Sequence, residues 1–134
     1  MMLEEQLNEP NGWIAAGEQI EMVGTNSQPE YEITTVFTKQ NGDPVEISVY
    51  KLADGRFELS DDGMTAFELQ FKNKKVGENS DLNRQIDQIL TGTKVALNSD
   101  YELYCYAGDK INEIIVAKSE LLRVMLAVGS LGPI

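Results

Sequence analysis

The chain has 134 residues, 42% apolar and 25% charged, the size and balance of one globular domain and not of a disordered, collagen-like or fibrous chain. Eleven Lys and Arg against twenty-two Asp and Glu give a formal net charge of −11, which argues against direct electrostatic binding to nucleic acid or an anionic membrane. Histidine is absent, so Ser-His-Asp and Cys-His mechanisms, imidazole metal ligands and imidazole pH switches are excluded.

Residues 1–30 read as an acidic N-terminal helix or arm docked on a single domain of residues 31–134. Glu4, Glu5, Glu9, Glu18, Glu21, Glu30 and Glu32 all precede the first Lys or Arg. Leu3, Leu7, Trp13, Ile14, Ile20 and Met22 supply apolar contacts, and Pro10-Asn11-Gly12 breaks any helix there. The start lacks the cationic and apolar regions of a signal peptide, and no run approaches the roughly eighteen apolar residues of a membrane span. A cytoplasmic protein is expected, in keeping with the lone Cys105.

Tyr31, Ile33, Thr35 and Phe37 alternate with Glu32, Thr34, Val36 and Thr38, the two-residue period of a half-buried strand. Asn41-Gly42-Asp43 predicts a hairpin turn, residues 45–52 a second strand, Asp54-Gly55 another turn, and residues 56–60 a third strand. The result is an antiparallel meander over about residues 31–60. Thr65-Ala66-Phe67-Glu68 fits a capping box opening a short helix from about Ala66. A second helix follows Ser80 or Asp81, with Leu82, Ile86, Ile89 and Leu90 on one face and a stop at Gly92. Val95–Leu97 and Tyr101–Tyr106 read as strands, the latter with Tyr101, Leu103 and Cys105 on one face and Glu102, Tyr104 and Tyr106 on the other. Ile111, Ile114, Ile115, Leu121, Leu122, Met125 and Leu126 make a long C-terminal amphipathic helix. One apolar sheet face needs a helical cover, so the fold is α+β.

Chemistry-bearing clusters are few. Asp61 and Asp62, with Glu68, are the candidates for a hard divalent cation, but neighbouring residues on a strand point to opposite faces and the EF-hand spacing is missing. A turn with a capped helix accounts for the pair more simply. Cys105 reads as a buried apolar thiol, with no histidine to activate it. The acids are too many for sequence spacing to single out a carboxylate pair for general acid-base work. No phosphate-binding loop occurs, and Lys72, Lys74 and Lys75 form a solvated loop face or a partner contact. Tyr104 and Tyr106 mark an aromatic contact surface, unless the N-terminal arm covers them.

Thr35-Val36-Phe37-Thr38, Asp43-Pro44-Val45-Glu46-Ile47-Ser48-Val49-Tyr50 and Gly55-Arg56-Phe57-Glu58-Leu59-Ser60-Asp61-Asp62-Gly63-Met64-Thr65 together resemble the T-P-F … D-x-I-x-I-Y … G-x-x-x-L-T-D-D-G-x-T run of a family of small bacterial and phage-associated proteins classed as a domain of unknown function. Val36 and Ser60 depart from the proline and threonine of that pattern. The resemblance implies a bacterial or phage cytoplasmic protein with an α+β fold and carries no catalytic residues, cofactor or metal.

The functional expectation is therefore a non-catalytic module that binds a protein partner, with neither nucleic acid nor membrane as a direct ligand. Two alternatives stand beside it: an acidic decoy that imitates nucleic-acid phosphate toward a DNA-binding or defence enzyme, and a divalent-cation-dependent enzyme using Asp61 and Asp62. Self-association through Tyr104, Tyr106 or an open sheet edge is a further alternative.

Overall fold

A computed structural model describes residues 12–24, 30–39, 42–70, 76–78 and 80–131. Among these residues six strands, β1 (Gln19–Met22), β2 (Glu30–Thr38), β3 (Pro44–Lys51), β4 (Phe57–Ser60), β5 (Ala96–Leu97) and β6 (Leu103–Ala107), form one sheet in the order β1-β2-β3-β4-β6-β5. Every neighbouring pair is antiparallel. Among the described residues there are three helices, α1 (Met64–Gln70), α2 (Ser80–Leu90) and α3 (Ile111–Gly129), and none is long and apolar enough to cross a membrane. This is an α+β fold with the expected meander and long C-terminal helix.

The alternation in the sequence decides the two faces of the sheet. Ile33, Ile47, Val49, Phe57, Leu59, Leu103 and Cys105 point to one side and are buried. Helix α3 crosses that side on β4 and β6, burying Ile114, Leu121, Val124 and Val128, and α1 and α2 pack against α3. Each such aliphatic side chain contributes roughly 1.5–3 kcal/mol when removed from water. The Asp54-Gly55 turn needs glycine, since Gly55 has φ 89°. Its geometry is closed by the Leu52 amide donating to the Arg56 carbonyl at 2.9 Å.

Four local expectations are corrected. Residues 19–22 are an edge strand paired with β2, where the sequence offered a helix or an arm; residues 1–11 lie outside the described residues. Phe37 is 46% exposed and does not share the inner face of Tyr31 and Ile33, because β2 shifts register against β3 between Thr34 and Thr38. Helix α1 begins at Met64, ahead of the Thr65 cap. Tyr101 ends a turn with φ 62° and does not begin a strand.

The segment before β1 enters the core. Trp13, 1% exposed, meets the rings of Tyr31 and Phe57 edge-on at centroid distances of 5.7 and 5.5 Å. Its carbonyl accepts a hydrogen bond from Lys118 Nζ on α3 at 2.8 Å, and the same amine reaches Glu18 Oε1 at 2.5 Å.

Candidate binding site

The aspartate pair after β4 is split by the backbone. Asp61 turns inward, 2% exposed, and accepts the amides of Gly63 and Leu103 on Oδ1 at 2.8 and 2.9 Å and of Thr65 on Oδ2 at 3.2 Å. It thereby caps α1, in place of the expected Thr65-Glu68 box, and ties that cap to β6. Burial pushes its carboxyl above the usual range, against the lowering effect of the Thr65 hydroxyl and those amides. Asp62 follows at φ 55°, a left-handed conformation that Asp tolerates better than most residues, and its amide donates to Ser60 Oγ at 3.0 Å.

That conformation swings the Asp62 carboxylate to the other side of the sheet. There it accepts hydrogen bonds from the Ser48 hydroxyl and, at 2.6 Å, from the Tyr50 hydroxyl. Ser48 is buried at a position where an apolar residue would leave Asp62 without this donor. Burial, then the Asp62 hydrogen bond and charge, hold the Tyr50 phenol above its ordinary range.

Cross-strand register extends the polar face in two rows. One runs Glu21, Glu32, Ser48, Ser60, Tyr104; the other runs Glu30, Tyr50, Glu58, Tyr106. Glu46 adjoins the first row on β3. The Glu32 carboxyl is pushed up to about 7, first by its hydrogen bond with Glu46, then by burial and by the charges of Glu46, Glu21 and Asp62. Glu58 is also raised, by burial and the charges of Glu102 and Asp62. At the far end Tyr104 and Tyr106 stack edge-to-face at 5.6 Å, and the Arg56 guanidinium lies 4.6 Å from the Tyr106 ring centroid. The described part of the N-terminal segment packs through Trp13 on the opposite face.

Next to these carboxylates opens a cleft of about 650 Å³, where β2, β3, the β4–α1 turn, α1 and the end of α3 meet. Glu32, Glu46 and Asp62 line it together with the apolar Met64, Leu69 and Met125. Lys39 is the cation among its described lining residues, and it pairs with Glu68 at 3.2 Å. Asp61, Asp62 and Glu68 thus go to three different partners, and among the described residues no group of three His, Cys, Asp or Glu could hold a metal ion. Lys72, Lys74 and Lys75 lie outside the described residues. Cys105 is buried, its thiol pushed up to about 12 by burial and by the charges of Glu120 and Glu58.

Sequence reasoning did not single out Glu32, Glu46, Ser48 and Tyr50. The signal was the same alternation that found the core: these residues occupy the positions between the apolar ones.

The crowding has a pH signature. A carboxyl with a folded value near 7 and an ordinary value of 4.5 gives stability that is full below about 4.5 and lost as pH rises through about 7. Glu32→Gln cannot ionise. Relative to the parent it is expected to gain about 1 kcal/mol between pH 5 and pH 8, a figure reduced for solvent screening of a partly exposed group. Urea unfolding of both proteins at the two pH values measures this. An unchanged difference would mean the carboxylates do not repel.

Fold and site together describe an α+β domain with one helix-covered sheet face and one carboxylate-rich face opening into a cleft. The chain belongs to the family described as Domain of unknown function DUF1828, whose profile matches residues 35–128. Comparison with curated proteins and with solved structures gives no match.

Proposed function

We propose that this protein is a non-catalytic binding module whose carboxylate-rich sheet face and adjoining cleft take up a cationic segment of a protein partner. The observation that carries the reading is the gathering of Glu32, Glu46 and Asp62 beside a partly apolar cleft whose described cation, Lys39, is already paired with Glu68, another residue of the lining. Like charges held together on an open face favour a ligand that brings the opposite charge, and the apolar wall adds contact area. Arg56 over Tyr106 shows that this face already accommodates a guanidinium of its own chain.

The cation-dependent enzyme is less well supported, because both Asp61 oxygens are engaged by backbone amides. The decoy reading loses Glu18, which points inward to Lys118, and serine and tyrosine interrupt the acidic rows. A decoy also meets a cationic protein surface, so it is a narrower form of the same proposal.

A labelled peptide of five Lys-Gly repeats, followed by fluorescence anisotropy, tests the proposal. Binding should weaken with salt and fall about tenfold in Glu32→Gln/Glu46→Gln. Asp87→Asn/Asp109→Asn removes two carboxylates from positions away from the cleft and should leave affinity nearly unchanged. Equal loss in both double variants, or no saturable binding by the parent protein, would overturn the proposal.

A further inference from the structure

We infer that a second groove binds an arginine side chain of the partner segment, an inference that rests on the preceding reading for the carrier of that side chain. The groove measures about 520 Å³ and adjoins the cleft, since Asp62 and Met64 line both. Three large apolar side chains at it are left exposed: Met64 at 42%, Phe67 at 49% and Tyr101 at 43%. Asp100 adds a carboxylate beside them, and no cationic side chain is among the described residues that line the groove.

Tyr101 is held in place at a cost. Its φ of 62° is a conformation that a bulky residue avoids and glycine adopts freely. The turn that imposes it is built by Asn98, whose side-chain oxygen accepts the amides of Asp100 at 2.9 Å and Glu102 at 3.0 Å, while the Tyr101 amide donates to the Asn98 carbonyl at 3.0 Å. Opposite the ring stands Gly77, where an added methyl would overlap the Tyr101 hydroxyl. The backbone therefore makes room for an aromatic ring where glycine would be relaxed, and that ring is then left partly in solvent. Strain kept at an exposed aromatic side chain is characteristic of a ligand contact.

The combination selects among cations. An aromatic face, a thioether and a neighbouring carboxylate suit a flat, weakly hydrated guanidinium, which stacks on the ring while its N–H groups reach the carboxylate. A lysine ammonium is compact and more strongly hydrated, and gains less from the same surroundings. Asp100 is the carboxylate assigned to the ion pair, and Tyr101 is the stacking surface.

The test uses the full chain, labelled for NMR and titrated with Nα-acetyl-arginine N-methylamide. Saturable shifts are expected at the amides of Ala66, Gly77 and Tyr101, with the lysine analogue weaker by about threefold or more and the norleucine analogue without saturation. Tyr101→Gly relieves the backbone, so its melting temperature should hold or rise while the saturable shifts vanish. Asp100→Asn, which keeps the backbone N–H that donates to Asn98 Oδ1, should weaken arginine by about threefold. Absence of shifts, equal response to norleucine, or arginine binding that survives Tyr101→Gly would overturn the inference. Glu32→Gln/Glu46→Gln should keep the arginine shifts at Gly77. Loss of Lys-Gly peptide binding by the parent protein with those shifts intact would therefore sink the cleft reading alone.

Discussion

Replacing Lys118 with methionine is expected to cost about 3–5 kcal/mol of stability, and adding Glu18→Gln to recover much of that loss. The amine and the carboxylate are 6% and 4% exposed, so neither can turn to water when its partner is removed. Methionine fills the volume of the lysine stem but leaves the Glu18 charge buried and the Trp13 carbonyl without its donor. What the pair secures is the seat of Trp13 on Tyr31 and Phe57. Among the described residues the buried indole Nε1–H has no hydrogen-bond partner, so apolar and aromatic contacts with Tyr31 and Phe57 are what hold the ring there. Urea unfolding of both single variants and the double gives the coupling energy directly. Trp13 is the chain's one tryptophan, so its emission reports whether the segment leaves before the sheet unfolds. Single costs under about 1 kcal/mol that simply add would show that the ion pair does not secure the segment.

The lengths of chain that the sequence made legible were those in which one physical signal acts alone. Val45, Ile47 and Val49 alternate without interruption, and β3 lies within a residue of its expected bounds. The spacing of Ile114, Leu121, Leu122 and Met125 likewise admits one amphipathic reading, and α3 buries these four, although Ile115 and Leu126, expected on the same face, are exposed. Legibility failed where a distant partner decides. Trp13 carries no periodicity of its own, and its place depends on Lys118, 105 residues away. The sequence offered Thr65, in a capping box with Glu68, as the cap for α1. Asp61 took the role because the Leu103 amide, 42 residues on, shares its oxygen, a link that local pattern cannot reveal. Residues of the open face were overlooked for another reason. On a half-buried strand, polar positions between apolar ones read as solvated, and only the register shows that Glu21, Glu32 and Ser48 stand in one row beside Asp62.

Asp61→Ala is expected to destabilise the protein by about 4 kcal/mol, and Asp61→Asn by no more than about 1–2 kcal/mol. Alanine strands three backbone amides, of which those of Thr65 and Leu103 are buried, and it uncaps α1 while loosening its tie to β6. Asparagine keeps an oxygen for Gly63 and Leu103, and its amide group can donate to the Thr65 hydroxyl, which already faces this side chain. The two substitutions also separate in pH dependence. Because burial raises the Asp61 carboxyl, its contribution is complete below its ordinary value of 3.8 and declines as pH rises through the folded value. Asparagine has no such decline, so its deficit against the parent should shrink from pH 4 toward neutrality, as chemical unfolding at several pH values would show. Equal costs for the two variants would mean that the hydrogen bonds are not what Asp61 contributes. The site depends on the same turn: Asp62 and Met64, one and three residues after Asp61, wall both the cleft and the second groove. Asp61→Ala should therefore weaken the Lys-Gly peptide even at temperatures where the variant remains folded, whereas Asp61→Asn, with the turn intact, should bind it as the parent does.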